Sequence, residues 1–227
     1  DCARKMNKLF TTIFAVAVAF ATASGQAQEI KGDAKAGETK NAMCIGCHGI
    51  KGYQSSFPEI YKVPMISGQS AAYISAALHA YKKGERKYPS MRGIAESLTD
   101  QDIADLSAYY SASGVVAGAS LPATASKQPS PAVQALLNKA NCVSCHGANF
   151  SKPIDPSYPK IAGQHADYLF VALKAYKVDP SNAKVGRGNA IMAGMAKQYT
   201  NAELKAMAGY LSSLEGDLKT VPESRFR

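Results

Sequence analysis

Apolar residues recur at the spacing of one helix face in several segments of the chain, whereas no segment alternates apolar and polar residues as a half-buried strand does. Tyr73, Leu78 and Tyr81 share one face of a helix predicted over residues 70–83, with Ser70 as its N-cap, and we expect this face in the core. Further helices are predicted over residues 33–43, 131–140, 165–177 and 200–214, and one more begins after Thr99. The pattern therefore predicts an all-α fold.

The predicted helices form two matching sets, because the chain repeats itself at a spacing of about 95 to 101 residues. Residues 63–73 and 158–168 share Pro, Ile, Gly, Gln, Ala and Tyr in register. Between the copies, residues 114–129 are rich in small residues, Gly and Pro and show no helical period, which is typical of an extended linker. We therefore expect two tandem domains, at residues 29–113 and 130–227, that arose by duplication.

Each copy contains one C-x-x-C-H motif, at residues 44–48 and 142–146. This is the attachment signature of a c-type haem, in which both cysteines bond covalently to the haem and the histidine ligates the iron. The motifs predict two covalently bound haem c groups, attached through these residues: Cys44, Cys47, His48, Cys142, Cys145 and His146. A dithiol redox pair and half of a zinc site are the alternatives, but neither a βαβ pattern nor a cluster of further Cys and His residues supports them.

A haem iron with one histidine ligand needs a sixth ligand or an open position, and a methionine sulfur is the usual choice in cytochromes c that transfer electrons. The first copy offers Met43, Met65 and Met91. Of these, Met91 has a suitable counterpart, Met192, and both lie in predicted loops between helices that can fold over a haem. We predict Met91 and Met192 as iron ligands, with Met195 as the fallback in the second copy.

Three further residue pairs occupy equivalent places in the two copies and are predicted to surround the haems: Arg86 and Arg187, Gln69 and Gln164, and Pro64 and Pro159. The arginines precede the proposed methionines and suit a bidentate contact with a haem propionate. The glutamines follow the repeated glycine, where each amide can bond a propionate or the backbone. The prolines are expected to present the carbonyl that orients Nδ1–H of the ligand histidine.

The first residues have the pattern of a secretory signal. A basic start at residues 6–8 precedes an apolar run over residues 9–23 and a small-residue cleavage zone near Ala27, so we predict a signal peptide over residues 1–28. As a helix this run spans about 22 Å, which is short of the roughly 30 Å hydrocarbon core of a membrane. Export to the periplasm is therefore expected, and the alternative is a retained segment that anchors the protein to the membrane.

Charge narrows the choice of partner. Residues 29–114 carry 10 basic and 9 acidic side chains, whereas residues 115–227 carry 13 basic and 7 acidic ones. A basic second copy favours a partner with an acidic docking face, or an anionic membrane surface, through electrostatic attraction. Nucleic acid is not expected as a partner, because the lysines are dispersed and the chain has an export signal.

The two C-x-x-C-H motifs, the twin P-x-I-x-G-Q segments and the twin M-x-G segments resemble the two-haem cytochrome c4 family over essentially all of the chain after the signal. The resemblance implies two class I cytochrome c domains related by a pseudo-two-fold axis, with haem propionates meeting at their interface. It also implies iron ligation by the histidine of each motif together with Met91 or Met192. Many family members carry a Met-Met pair at the ligand position, whereas this chain has a single methionine at each place.

The resemblance further implies a periplasmic electron carrier between a quinol–cytochrome c reductase, or another donor, and a haem–copper oxidase, or another acceptor. Matched methionines in both copies argue against an enzyme, because a dihaem peroxidase or a sulfur-compound dehydrogenase needs an iron with an open or displaceable position. A tethered electron-entry subunit of a larger respiratory complex is the third alternative, and a retained N-terminal anchor would favour it.

Overall fold

The computed structural model describes residues 30–222, and the part from Lys31 onward belongs to one compact unit. Within the described residues the protein is mostly helical, as predicted, with one short antiparallel sheet. No helix in this range is long and apolar enough to cross a membrane. The signal peptide predicted over residues 1–28 lies outside the described residues.

We call residues 31–113 the first half and residues 130–222 the second half. The first half contains α1 (Ala34–Lys40), α2 (Ala42–His48), β1 (Gln54–Ser55), β2 (Tyr61–Lys62), α3 (Ala71–Lys82), α4 (Pro89–Glu96) and α5 (Asp100–Ala112). The second half contains α6 (Pro131–Lys139), α7 (Val143–His146), α8 (Ala166–Ala175), α9 (Ala190–Ala196) and α10 (Asn201–Ser212). Both halves have the same order of five helices, so the sequence repeat is also a structural repeat.

Two local predictions for the first half are wrong. The single helix predicted over residues 33–43 is divided, because α1 ends at Lys40 and α2 begins at Ala42 after a cap at Asn41. The sheet has no counterpart among the predicted elements. It pairs only two residues of each strand, which is too few for an alternating pattern to be recognised in the sequence.

Capping side chains begin the last helix of each half at equivalent positions. Thr99 and Asp102 form a full capping box at α5, and Thr200 and Glu203 form the same box at α10. In each box the threonine oxygen accepts a helix amide, and the carboxylate accepts the backbone N–H of the threonine. Both helix starts therefore lie where the sequence predicts them.

The first and last helices of the first half meet through a buried carboxylate. Gly37 allows α1 to approach α5, because a Cβ atom there would lie 2.2 Å from the Asp105 carbonyl oxygen. The Asp105 residue is 2% exposed. Its carboxylate accepts from Lys40 Nζ at 2.7 Å, Asp33 N–H at 2.8 Å and Gln101 Nε2 at 2.8 Å. This helix contact is therefore polar and fully hydrogen-bonded at its centre.

The second half joins its helices through apolar side chains. Helix α10 packs against α6 and α8 and places Leu204, Met207 and Leu211 in a cluster of ten buried residues. The cluster of the first half has five buried members: Ile74, Leu98, Ile103, Leu106 and Tyr110. Ala206 is the sequence equivalent of Asp105 and is exposed, so the second half has no buried carboxylate at this position.

The segment between α5 and α6 contains no helix or strand and lies along the second half. Asn149 Nδ2 donates to the Pro122 carbonyl oxygen at 2.7 Å, and the Tyr210 hydroxyl donates to the Lys127 carbonyl oxygen at 2.9 Å. These contacts hold the segment without secondary structure of its own. The predicted limits of the linker and of the two domains stay predictions.

Candidate haem centres and the junction between the halves

The first candidate haem centre is built on α2, which carries Cys44, Cys47 and His48. His48 Nδ1 lies 2.9 Å from the Pro64 carbonyl oxygen. Because a carbonyl can only accept, Nδ1 carries the proton, and Nε2 keeps the lone pair that a metal ligand needs. Burial lowers the pKa of His48 more than the bond to Pro64 raises it, so the ring is neutral at pH 7.

The second candidate haem centre repeats this arrangement at α7. Cys142 caps the helix, and Cys145 and His146 lie within it. His146 Nδ1 donates to the Pro159 carbonyl oxygen at 3.0 Å, and burial lowers the pKa of His146 as well. In both halves the carbonyl that contacts the histidine belongs to the repeated proline, so both rings present a neutral Nε2.

The cysteine surroundings differ from those of a reactive dithiol. Burial raises the pKa of Cys44 to about 11, and it also raises the pKa of Cys142. A dithiol redox pair depends on a lowered thiol pKa, because the thiolate is the attacking species. These surroundings disfavour a thiolate, and an uncharged thioether to a haem suits them better.

Met91 and Met192 lie in short helices, so the prediction that they lie in loops is wrong. Met91 is the third residue of α4 and Met192 is the third residue of α9, and both are half-buried. The helix-start signals were Pro89 at the first position of α4 and Asn189, whose side chain accepts from Met192 N–H at 2.9 Å. The equal register keeps both methionines as candidate ligands. The alternative Met43 is 52% exposed.

The tyrosine and arginine pairs of the repeat meet where the halves join. We define the junction cluster as six partly buried residues: Tyr73, Tyr81, Arg86, Tyr168, Tyr176 and Arg187. The backbones of the two arginines form an antiparallel bridge. Arg86 donates to the Tyr73 hydroxyl and Arg187 donates to the Tyr168 hydroxyl, both at 3.0 Å. Each guanidinium also lies over the ring of the remaining tyrosine of its half, at 5.5 and 5.7 Å.

The junction cluster has two neighbouring cations and no carboxylate. Among residues 30–222, no Asp or Glu lies within ion-pair distance of Arg86 or Arg187. Partly buried cations are stable when an anion accompanies them, and a haem carries propionate groups. The two arginines therefore suit haem propionates as partners. Nε2 of His48 and Nε2 of His146 suit ligation of the haem irons. When bound, each haem supplies one-electron transfer between ferric and ferrous iron.

Gln69 and Gln164 are buried at the junction, and each bonds to the backbone of the opposite half. The Gln69 amide pairs with Lys160, and the Gln164 amide pairs with Met65. The sequence allows either a propionate or the backbone as the partner of each amide, and the structure shows backbone partners. Further contacts across the junction are Lys62–Asp167, Lys174–Glu59 and Lys219–Ser67.

The comparisons with known proteins agree with this architecture. The family model of cytochrome c matches the chain twice, over residues 34–111 and 131–215, so the chain is a cytochrome c with two such domains. It is 33% identical over 193 residues to cytochrome c4 of Thiocapsa roseopersicina, which covers 81% of this chain and 93% of that protein. The chain belongs to the cytochrome c4 family.

A solved structure and a second relative extend this result. The crystal structure of reduced recombinant cytochrome c4 from Pseudomonas stutzeri superposes with a TM-score of 0.55 at 27% identity, over 81% of this chain and 100% of that chain. A thiosulfate dehydrogenase electron acceptor of Stutzerimonas stutzeri is 27% identical over 176 residues, covering 75% of this chain and 78% of that protein. The chain therefore carries two haem c groups and is an electron carrier rather than an enzyme.

Proposed function

We propose that this protein carries electrons in the periplasm from a quinol–cytochrome c reductase, or another donor, to a haem–copper oxidase, or another acceptor. The observation that carries the proposal is the matched pair of sites, in which both motif histidines donate Nδ1–H to a proline carbonyl at 2.9 and 3.0 Å. Two equal centres that share one arginine cluster suit storage and transfer of single electrons. The predicted export signal supports the periplasmic location.

We infer further that Met91 and Met192 are the sixth ligands of the two irons. Their support is the shared third position in α4 and α9 and their partial burial. A thioether ligand raises the potential of a haem relative to a second imidazole. Replacement by histidine therefore separates a ligand from a packing residue.

The test is to measure the midpoint potential of each haem in Met91→His and Met192→His. Each change should lower the potential of the haem in its own half and leave the other nearly unchanged. Met195→His, one turn further along α9, is the matched control and should leave both potentials in place. Spectra that respond to neither Met91→His nor Met192→His would remove the ligand assignment. Rapid binding of cyanide at one oxidised haem would contradict two closed irons.

Two candidate electron donors can be compared directly. A sulfur-compound dehydrogenase is the second candidate, because a relative carries the name thiosulfate dehydrogenase electron acceptor. Stopped-flow reduction by a quinol–cytochrome c reductase and by a thiosulfate dehydrogenase would rank the two donors. The basic second half predicts rates that fall as salt is added, since exposed charges are screened.

Haem found only in the membrane fraction of cells would instead support a retained anchor.

A further inference from the structure

Gln69 and Gln164 make reciprocal contacts across the junction. Gln69 Nε2 donates to the Lys160 carbonyl oxygen at 3.0 Å, and Gln69 Oε1 accepts from Lys160 N–H at 3.0 Å. In the other direction, Gln164 Nε2 donates to the Met65 carbonyl oxygen at 2.9 Å, and Gln164 Oε1 accepts from Met65 N–H at 3.0 Å. The two glutamine residues are only 5% and 4% exposed, so water does not compete for these bonds.

The amides that the glutamines accept belong to the peptide groups that contact the haem histidines. Met65 N–H and the Pro64 carbonyl are the two ends of one planar peptide group, and that carbonyl accepts from His48. Lys160 N–H and the Pro159 carbonyl form the equivalent group in the second half, where the carbonyl accepts from His146. Each glutamine is therefore separated from the histidine of the opposite half by a single peptide group.

The glutamine side chains are also held by contacts within their own half. Gly68 and Gly163 precede them with φ angles of +83° and +73°, which glycine adopts without strain. Each Oε1 also accepts the N–H of the following residue, Ser70 at 2.9 Å and His165 at 3.0 Å. Each glutamine Oε1 therefore accepts one N–H from its own half and one from the opposite half.

We propose that Gln69 and Gln164 are positioning residues that tune the haem of the opposite half through the proline peptide group. A bond to the N–H end of a peptide polarises it and strengthens its carbonyl as an acceptor. A stronger carbonyl draws more on Nδ1–H of the histidine, which makes Nε2 a better donor to ferric iron. The inference rests on the proposed function only in taking His48 and His146 as iron ligands.

The expected result is a crossed response to Gln164→Met and Gln69→Met, which keep the side-chain length and remove the amide. Gln164→Met should raise the midpoint potential of the first-half haem, and Gln69→Met should raise that of the second-half haem. Potentials are assigned to each haem by NMR during a redox titration. Gln134→Met, at an exposed position on α6, is the control and should shift neither potential.

Two further measurements test the same link independently of the potentials of the methionine variants, and Gln164→Glu keeps the test decisive if those variants fold poorly. Amide hydrogen exchange in Gln164→Met should accelerate at Met65 while Lys160 stays protected, and Gln69→Met should give the reverse. Gln164→Glu keeps the acceptor oxygen, so Met65 should stay protected and the first-half potential should not rise. Shifts confined to the variant's own half, or equal shifts at both haems, would overturn the inference. A wild-type protein with one haem, or with haems that do not cycle, would instead overturn the proposed function.

Discussion

The two halves reach the same helix order with different chemistry where their first and last helices meet. In the first half the Asp105 carboxylate lies between α1 and α5 and accepts from Lys40. In the second half the equivalent residue is the exposed Ala206, and the helices join through a larger apolar cluster that includes Leu204 and Met207. The caps, the motif histidines and the junction arginines are nevertheless matched. Contact between helices tolerates either solution, whereas the motif histidines, the junction arginines and the junction glutamines occur in both halves.

The largest expected difference between the halves appears when one of them loses its haem. Replacing Cys44 and Cys47 with Ala should unfold much of the first half, because a small domain whose core cluster has five buried residues has little core without its haem. Replacing Cys142 and Cys145 with Ala should leave more helix in the second half, whose cluster has ten. Far-ultraviolet circular dichroism and amide exchange measure the loss. Equal losses of helix would show that the size of the buried cluster does not determine how much structure remains without a haem.

The next effect concerns the buried carboxylate. Asp105→Ala leaves the Asp33 N–H without its acceptor and should lower the unfolding free energy of the first half by about 1–3 kcal/mol. Denaturant unfolding followed at the first-half haem measures the change. Exposed Glu215→Ala in the second half is the control and should have little effect there. A neutral outcome for Asp105→Ala would mean that the helix contact rests on apolar packing alone.

The same carboxylate makes the first half sensitive to acid. The bond from Lys40, followed by the bond from the Asp33 amide, lowers the pKa of Asp105 below its ordinary value of 3.8. Its stabilising contribution is complete above that value and is lost as the pH falls through the lowered one. Below about pH 4 the first half should therefore lose the stability that Asp105 contributes. Asp105→Ala should make the unfolding of the first half less dependent on pH in acid titrations followed at its haem.

The smallest expected effect concerns the threonine caps of α5 and α10, which have the same geometry in both halves. Thr99→Ala and Thr200→Ala each remove the capping oxygen of a full capping box and should each cost about 1 kcal/mol. Thermal unfolding followed at each haem should show matching decreases. If only one variant lost stability, the two caps would not be equivalent in energy despite their equal geometry.

Sequence patterns predicted the features that depend on neighbours along the chain. The repeat, the helices α3, α5 and α10 and the starts of the last helix in each half all follow from periodicity and from short-range signals. The division at Asn41 and the helices around Met91 and Met192 were missed. These elements have only seven or eight residues, so a helical period hardly develops within them.

The contacts of the candidate site were harder to predict because they join distant parts of the chain. Tyr73 and Tyr168 sit at helical spacing, which favours a core position, yet they bind the junction arginines. The glutamine partners lie 91 and 99 residues away in the sequence. The sequence contained one signal for these contacts: the tyrosines and the glutamines are identical in the two copies. Core positions such as Ile103 and its equivalent Leu204 differ between the copies.

The exchanged glutamine contacts have the form of an isologous interface, in which position i meets j and position j meets i. Positions 65 and 160 are equivalent, and Arg86 meets Arg187 as its own counterpart. The junction thus has the contact pattern of a symmetric homodimer of one-haem subunits, carried on one polypeptide. Met65 and Lys160 have different side chains at these equivalent positions. The exchange tolerates this difference because each glutamine recognises only main-chain atoms.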